Sequence, residues 1–271
     1  MDASRITVPA LAAAAGAYIC YENFTFGVTR LEALSPRLPP EFEGFAVALV
    51  SDVHGARFGR RLAAVLDSLA PDMVAVAGDL LDSYHPRPRA ALALVRDMLR
   101  VCPVYFVPGN HEARLRGLYP SFAGELRAAG AVVLHDECAE LRRGGARILV
   151  RGLADPSFTP GSPPFSPAAL PKASPSGPYT LLISHRPERF GEYCAAGVDL
   201  ALCGHAHGGQ VRLPLAGPLF APHQGLFPRW TSGLCSAGGT QMAVSRGLGS
   251  SRLRLRVNNR PELLLIRLHR A

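Results

Sequence analysis

Five short apolar runs in this chain each end at a residue able to bind a metal ion, and this placement constrains the fold more than any other feature. Residues 45–50 lead into Ser51, Asp52, Val53 and His54, and residues 73–77 into Gly78 and Asp79, with Asp82 three positions on. Residues 104–107 are followed by Pro108, Gly109, Asn110, His111 and Glu112. His185 follows the run 179–184, and Gly204, His205, Ala206, His207, Gly208 and Gly209 follow the run 199–203. Short continuous apolar runs bounded by turn residues read as strands buried on both faces.

Further strands are predicted over 131–134, 147–150, 242–245 and 262–268. Apolar residues at helical spacing predict helices over 60–69, 88–100, 121–129 and 187–195. Strands alternating with helices define an α/β layered domain. In such sheets ligands gather outside the carboxyl ends of the strands, so the side chains named above can converge on one crevice. With 271 residues and 48% hydrophobic composition, one large domain is expected over 41–271, preceded by an apolar segment and lead-in over 1–40. Residues 155–178, rich in Pro, Ser and Gly, are predicted to form a long surface loop. A second irregular stretch, 214–232, carries Leu219, Phe220, Leu226, Phe227 and Trp230. It reads either as a lid or substrate wall or as a loop folded onto its own apolar cluster.

The ligand types are carboxylate, imidazole and amide oxygen without thiolate, a set suited to manganese, iron or zinc. The six cysteines are scattered with no Cys-x-x-Cys pair, so neither a structural zinc site nor a disulfide framework is signalled. Glycines before Asp79, Asn110 and His205 permit sharp turns and close backbone approach. His85, His135, His223 and His269 match no motif and read as surface or packing residues, with His223 singled out by its place in the 214–232 stretch.

In this order, the blocks Asp52-x-His54, Gly78-Asp79-x-x-Asp82, Gly109-Asn110-His111-Glu112, His185 and Gly204-His205-x-His207 resemble the signature of the calcineurin-like metallophosphoesterase superfamily. The resemblance implies a four-layer α/β/β/α sandwich with two packed mixed β-sheets. It implies two divalent metal ions, manganese first and iron or zinc as alternatives. Asp52, His54, Asp79 and His207 would hold one ion; Asp79 as a bridge, Asn110, His185 and His205 would hold the other. His111 would protonate the leaving oxygen and Asp82 would orient it. The implied reaction is hydrolysis of a phosphodiester or pyrophosphate bond by a water that the ions share and activate, with no covalent intermediate.

Residues 204–212, 214–230, 244–249 and 259–262 resemble, within that superfamily, a bacterial membrane-associated metallophosphodiesterase branch. This implies a small or lipid-linked substrate; the branch includes enzymes that cleave the pyrophosphate of UDP-2,3-diacylglucosamine. Ser83 follows Asp82 where protein Ser/Thr phosphatases usually carry Arg, which argues against a phosphoprotein substrate.

A net charge of +8 suits anionic ligands and keeps a nuclease as the rival reading, although no added DNA-binding motif accompanies it. A non-catalytic scaffold of the same fold is the second alternative, and the full set of ligand types argues against it. Nucleic acid is therefore not the expected partner, and a monomer is expected. Residues 6–21 are Ala-rich and shorter than the roughly 20 residues a spanning helix needs, so an anchor, an uncleaved export segment and a packed helix stay open. Association with a membrane through this segment is expected, with a cytoplasmic location otherwise.

Overall fold

The computed structural model describes residues 4–56, 58–159, 177–250 and 255–271. Along the chain run α1 (Ser4–Phe24), β1 (Gly27–Leu34), β2 (Ala46–Val50), α2 (Gly59–Leu69), β3 (Met73–Ala77), α3 (Pro88–Leu99) and β4 (Val104–Val107). Next come α4 (Asn110–Arg114), α5 (Tyr119–Ala128), β5 (Val132–Val133), β6 (Cys138–Arg143), β7 (Ala146–Leu153), β8 (Thr180–Ser184), α6 (Phe190–Ala195) and β9 (Leu200–Cys203). Two short hairpins follow, β10 (Arg212–Leu213) with β11 (Gly217–Pro218) and β12 (Phe220–Ala221) with β13 (Gly225–Leu226). The described chain closes with β14 (Gly233–Ala237), β15 (Thr240–Val244) and β16 (Glu262–His269).

Strand periodicity explains the layers. In β2 and β3 every residue is buried, so both faces of each strand must be covered. Val47, Leu49, Ala75 and Val107 point into a cluster shared with Ile148, Leu181, Ile183 and Leu202 of the second sheet. Their neighbours Ala48, Val50, Val74, Val76 and Phe106 point the other way, onto Leu62 and Leu66 of α2, Val95 and Met98 of α3 and Phe122 of α5. The outer face of the second sheet packs Leu182, Ala201 and Val244 on Phe190 and Tyr193 of α6. The result is the expected α/β/β/α sandwich, and each large apolar side chain buried in it contributes about 1.5–3 kcal/mol.

One sheet has the order β1-β16-β2-β3-β4-β5, the other β14-β15-β9-β8-β7-β6. Both are mixed: β16 is antiparallel to β2, and β14 and β6 are antiparallel to their neighbours. β2, β3 and β4 run parallel in one sheet, as do β7, β8 and β9 in the other, so their carboxyl ends gather together.

Residues 1–40, expected as a lead-in, contribute α1 and β1, and β1 pairs along its whole length with β16. The C-terminal end of α1 is tied down: Glu22 accepts the Asn259 N–H at 2.6 Å, and Asn23 exchanges hydrogen bonds with the Arg256 backbone. The expectation of membrane association through 6–21 is corrected: among the described residues no helix is long and apolar enough to cross a membrane. The reason is compositional, since alanine, which dominates the segment, is only weakly apolar. The expected loop over 155–178 falls outside the described residues from 160 to 176.

Candidate metal centre

The ligand-type residues leave their strands through strained turns. Asp52, His54, Asp79, His205 and His207 all have positive φ, between 46° and 68°, in a region that costs a non-glycine residue free energy. Such outliers persist where surrounding structure holds them. Here the β2 turn is bonded to the β3 turn, Asp52 N–H to Gly78 O and His54 N–H to Asp79 O, each at 3.1 Å. Glu112, fully buried, binds the next two turns together by accepting the N–H groups of Asp79, Gly109 and Leu81 at 2.8–2.9 Å. Burial and the Asp79 charge push its carboxyl up to about 7 against those three donors. Gly109 is required by close approach: an added Cβ would fall 2.8 Å from the Asp79 backbone nitrogen.

All seven proposed ligands meet at one place. Asp79 Oδ2 lies 3.2 Å from His185 Nε2 and 3.6 Å from His54 Nε2. Asp52 Oδ1 lies 3.5 Å from His207 Nε2 and 3.9 Å from His54 Nε2. Three sets of three ligand atoms share this space: Asp52 with His54 and His207, Asp52 with Asp79 and His185, and His54 with Asp79 and His111. Asn110 Oδ1 faces His185 Nε2 at 3.0 Å, and His205 Nδ1 approaches the same nitrogen at 3.1 Å. His185 is fixed from behind by a 2.8 Å hydrogen bond between Nδ1 and the Ala77 carbonyl, and Asn259 holds the His207 carbonyl at 2.7 Å.

Two observations fit divalent cations to this set. Among the described residues, both ring nitrogens of His54 and Nδ1 of His207 are buried without a hydrogen-bond partner, which is costly unless a lone pair binds something else. The Asn110 amide meets His185 Nε2 at 3.0 Å in either orientation, its oxygen accepting from a ring N–H or, turned over, its nitrogen donating to ring lone pairs of His185 and His205. Burial, finally, holds His54 and His205 well below the ordinary imidazole pKa and lowers His207 too, keeping them in the neutral, ligating form. His185 is the exception. Burial lowers it, but the carboxylates of Asp79, Asp52 and Asp155 together outweigh that and raise it to about 10, so the site's negative charge favours a cation beside Asp79.

His111 and Asp82 stand beside this cage. His111 Nδ1 accepts the Ser83 N–H at 2.9 Å, and its backbone N–H donates to Asp79 Oδ1 at 2.8 Å. Asp82 Oδ1 lies 3.5 Å from the same Nδ1 and accepts the Tyr84 N–H at 2.9 Å, capping the turn that carries Ser83.

Sequence reasoning passed over Arg186, Asp155 and Arg114. Arg186, buried one residue beyond His185, forks onto buried Asp155 and reaches His205 and His223. Arg114 Nη1 lies 3.3 Å from His111 Nε2, one helical turn away on α4. Position beside a motif was the one signal available for either arginine. In the 214–232 stretch Phe220 lines the cavity over the cage, while Trp230 packs on Phe190 and Phe227 lies exposed.

A carboxylate–imidazole cage at the strand ends of such a sandwich defines the metallophosphoesterases. The chain belongs to the calcineurin-like phosphoesterase family, whose pattern matches residues 45–209. It is 30% identical to phosphodiesterase YaeI of Escherichia coli over 83% of this chain and 82% of that protein. It is 28% identical to the uncharacterized metallophosphoesterase YkuE of Bacillus subtilis over 86% of this chain and 82% of that protein. Among solved structures, the phosphopantetheinyl hydrolase of Mycobacterium tuberculosis is similar over 79% of this chain and 96% of that one, at 15% identity and a TM-score of 0.48.

Proposed function

We propose that this chain is a two-metal phosphodiesterase acting on a small or lipid-linked substrate with an apolar portion. The observation that carries the reading is that two cavities reach the cage. One, of about 540 Å³, is bordered by Asp79, Asn110, His111, His205 and His207; the other, of about 650 Å³, by His54 and Asp82. A phosphomonoester has one substituent to place and a diester or pyrophosphate has two. The first cavity carries Val211, Leu219, Phe220 and Pro222, which suit an apolar substituent.

Asp52, His54, Asp79 and His207 would hold one cation, and Asp79, Asn110, His185 and His205 the other, with manganese the expected ion and iron or zinc alternatives. When bound, the pair supplies a nucleophile at neutral pH and neutralises charge on the phosphoryl oxygens. The protein's own contribution is positional. With the Ser83 N–H on His111 Nδ1, the neutral ring carries its proton on Nε2 once the Arg114 guanidinium, 3.3 Å from that nitrogen, turns to the substrate, and that proton can then pass to the departing alkoxide as water adds to phosphorus. Asp82 acts through the turn: by accepting the Tyr84 N–H it keeps the Ser83 amide against His111. Similarity to a named phosphodiesterase supports the diester over the monoester.

The test is hydrolysis by the manganese-loaded protein of an aryl phosphodiester, an aryl phosphomonoester, a nucleotide-linked lipid and single-stranded DNA. Diester or lipid-linked turnover well above monoester is expected. A monoester preference sinks the two-substituent argument, and dominant DNA cleavage makes the chain a nuclease.

A further inference from the structure

Glu188, His205 and His223 offer three ligand atoms within 4.8 Å of one another, which by itself looks like a place for one more cation. The geometry shows what fills it. Arg186 Nη1 lies 2.5 Å from His223 Nδ1, 3.1 Å from His205 Nε2 and 3.4 Å from Glu188 Oε1. This permanent positive charge is not free to leave. The guanidinium is buried, forks onto both oxygens of Asp155, itself 2% exposed, and adds Ser157 Oγ at 3.3 Å. A bidentate Arg–carboxylate pair in a buried setting fixes direction as well as distance.

That fixed donor sets the state of His223. Nδ1 of His223 also lies 2.9 Å from His205 Nε2, but guanidinium nitrogens only donate, so against Arg186 this Nδ1 is the acceptor and the ring proton sits on Nε2. His223 stands at the tip between β12 and β13, exposed, with φ of 62°, and it lines the cavity over the cage together with His111 and Arg114. The hairpin tip therefore presents a hydrogen-bond donor of defined tautomer to whatever enters that cavity. No motif of the metal cage includes it.

We propose that His223 is a substrate-binding residue that donates from Nε2 to a phosphoryl oxygen, and that Arg186, held by Asp155, is its positioning residue. This rests on the phosphoesterase reading above. In the reaction it adds a donor from the hairpin, an element other than α4, which carries His111 and Arg114. Losing one hydrogen bond to a charged oxygen weakens binding about 10- to 100-fold.

The experiment compares wild type, H223A, H223Q and R186K, all loaded with manganese. It reads metal content, affinity for inorganic phosphate by calorimetry, and KM and kcat on bis(4-nitrophenyl) phosphate. H223A should bind phosphate at least about tenfold more weakly and show a similar rise in KM, with kcat within about threefold and metal content unchanged. H223Q, whose amide nitrogen can reach the Nε2 position, should recover most of the loss, and R186K should fall between. Equal phosphate affinity in wild type and H223A overturns the proposal while leaving the phosphoesterase reading intact. So does an H223A protein that loses metal along with activity, since His223 would then only support the ligand His205. A wild type that carries metal and binds no phosphate overturns both.

Discussion

Asp79 and His185 stand at the carboxyl ends of strands in two different sheets, and they meet with Oδ2 and Nε2 3.2 Å apart. The cage is thus built across the sandwich, and it exists only while the two sheets keep their relative position. The apolar layer between them, Leu49, Ala75 and Val107 against Ile183 and Leu202, serves as its foundation.

Glu112 is predicted to matter for folding before chemistry. Its two oxygens accept three backbone N–H groups, so E112Q sets an amide donor against at least one of them. The expected loss is about 1–3 kcal/mol in chemical denaturation of the metal-free protein. An unchanged midpoint and slope would show that the turns hold without it.

His111 is predicted to act on the leaving group. H111N should lower kcat by about 10²–10⁴-fold on an alkyl diester, far less on a nitrophenyl ester whose departing oxygen needs no proton, with metal content unchanged. Equal losses on both substrates would place the role of His111 elsewhere.

His269 links Glu43 and Glu32 at 2.6 Å each on the exposed edge where β1 meets β16. Hydrogen bonds to those carboxylates raise its pKa, and the Arg270 N–H, followed by His269, lowers that of Glu43. The raised imidazole contributes stability fully below its unfolded pKa of about 6.5, and this is lost as pH rises through the higher folded value. The Glu43 contribution is present above the unfolded carboxylate pKa and is lost as pH falls through the depressed folded one. Thermal unfolding of H269Q should therefore show a flatter stability profile above neutral pH than wild type, by a small margin given the exposure. Parallel profiles would exclude the clip.

Phe220 is predicted to set substrate preference. F220S should lower kcat/KM for a long-chain alkyl phosphodiester several-fold more than for a dimethyl one, since each buried methylene is worth about 0.8 kcal/mol. Equal changes would mean that the apolar cavity does not hold the substrate chain.

Much of this was legible because burial on both faces leaves a plain apolar run ending in a ligand, as at 73–77 and Asp79, or 104–107 and Asn110. The helices with i, i+4 pairs such as Leu62 and Leu66 were equally plain. Edge strands were not. β6, Cys138–Arg143, is largely exposed, and β1 mixes Arg30 and Glu32 with apolar residues, so neither shows a continuous run. Asp155 and Arg186 escaped for another reason: their role comes from meeting each other and His223 through the fold, and no local spacing records it.

The central claim is that one cage holds two divalent ions through a shared carboxylate. Elemental analysis of purified wild type and D79N, run beside activity on an aryl phosphodiester, tests it most directly. The account predicts two ions per wild-type chain, fewer in D79N, and a loss of activity of at least about 100-fold, at the upper end of what even supporting residues of metal sites cost. Full metal content with undiminished activity in D79N, or a wild-type protein that hydrolyses the diester without metal, would contradict it.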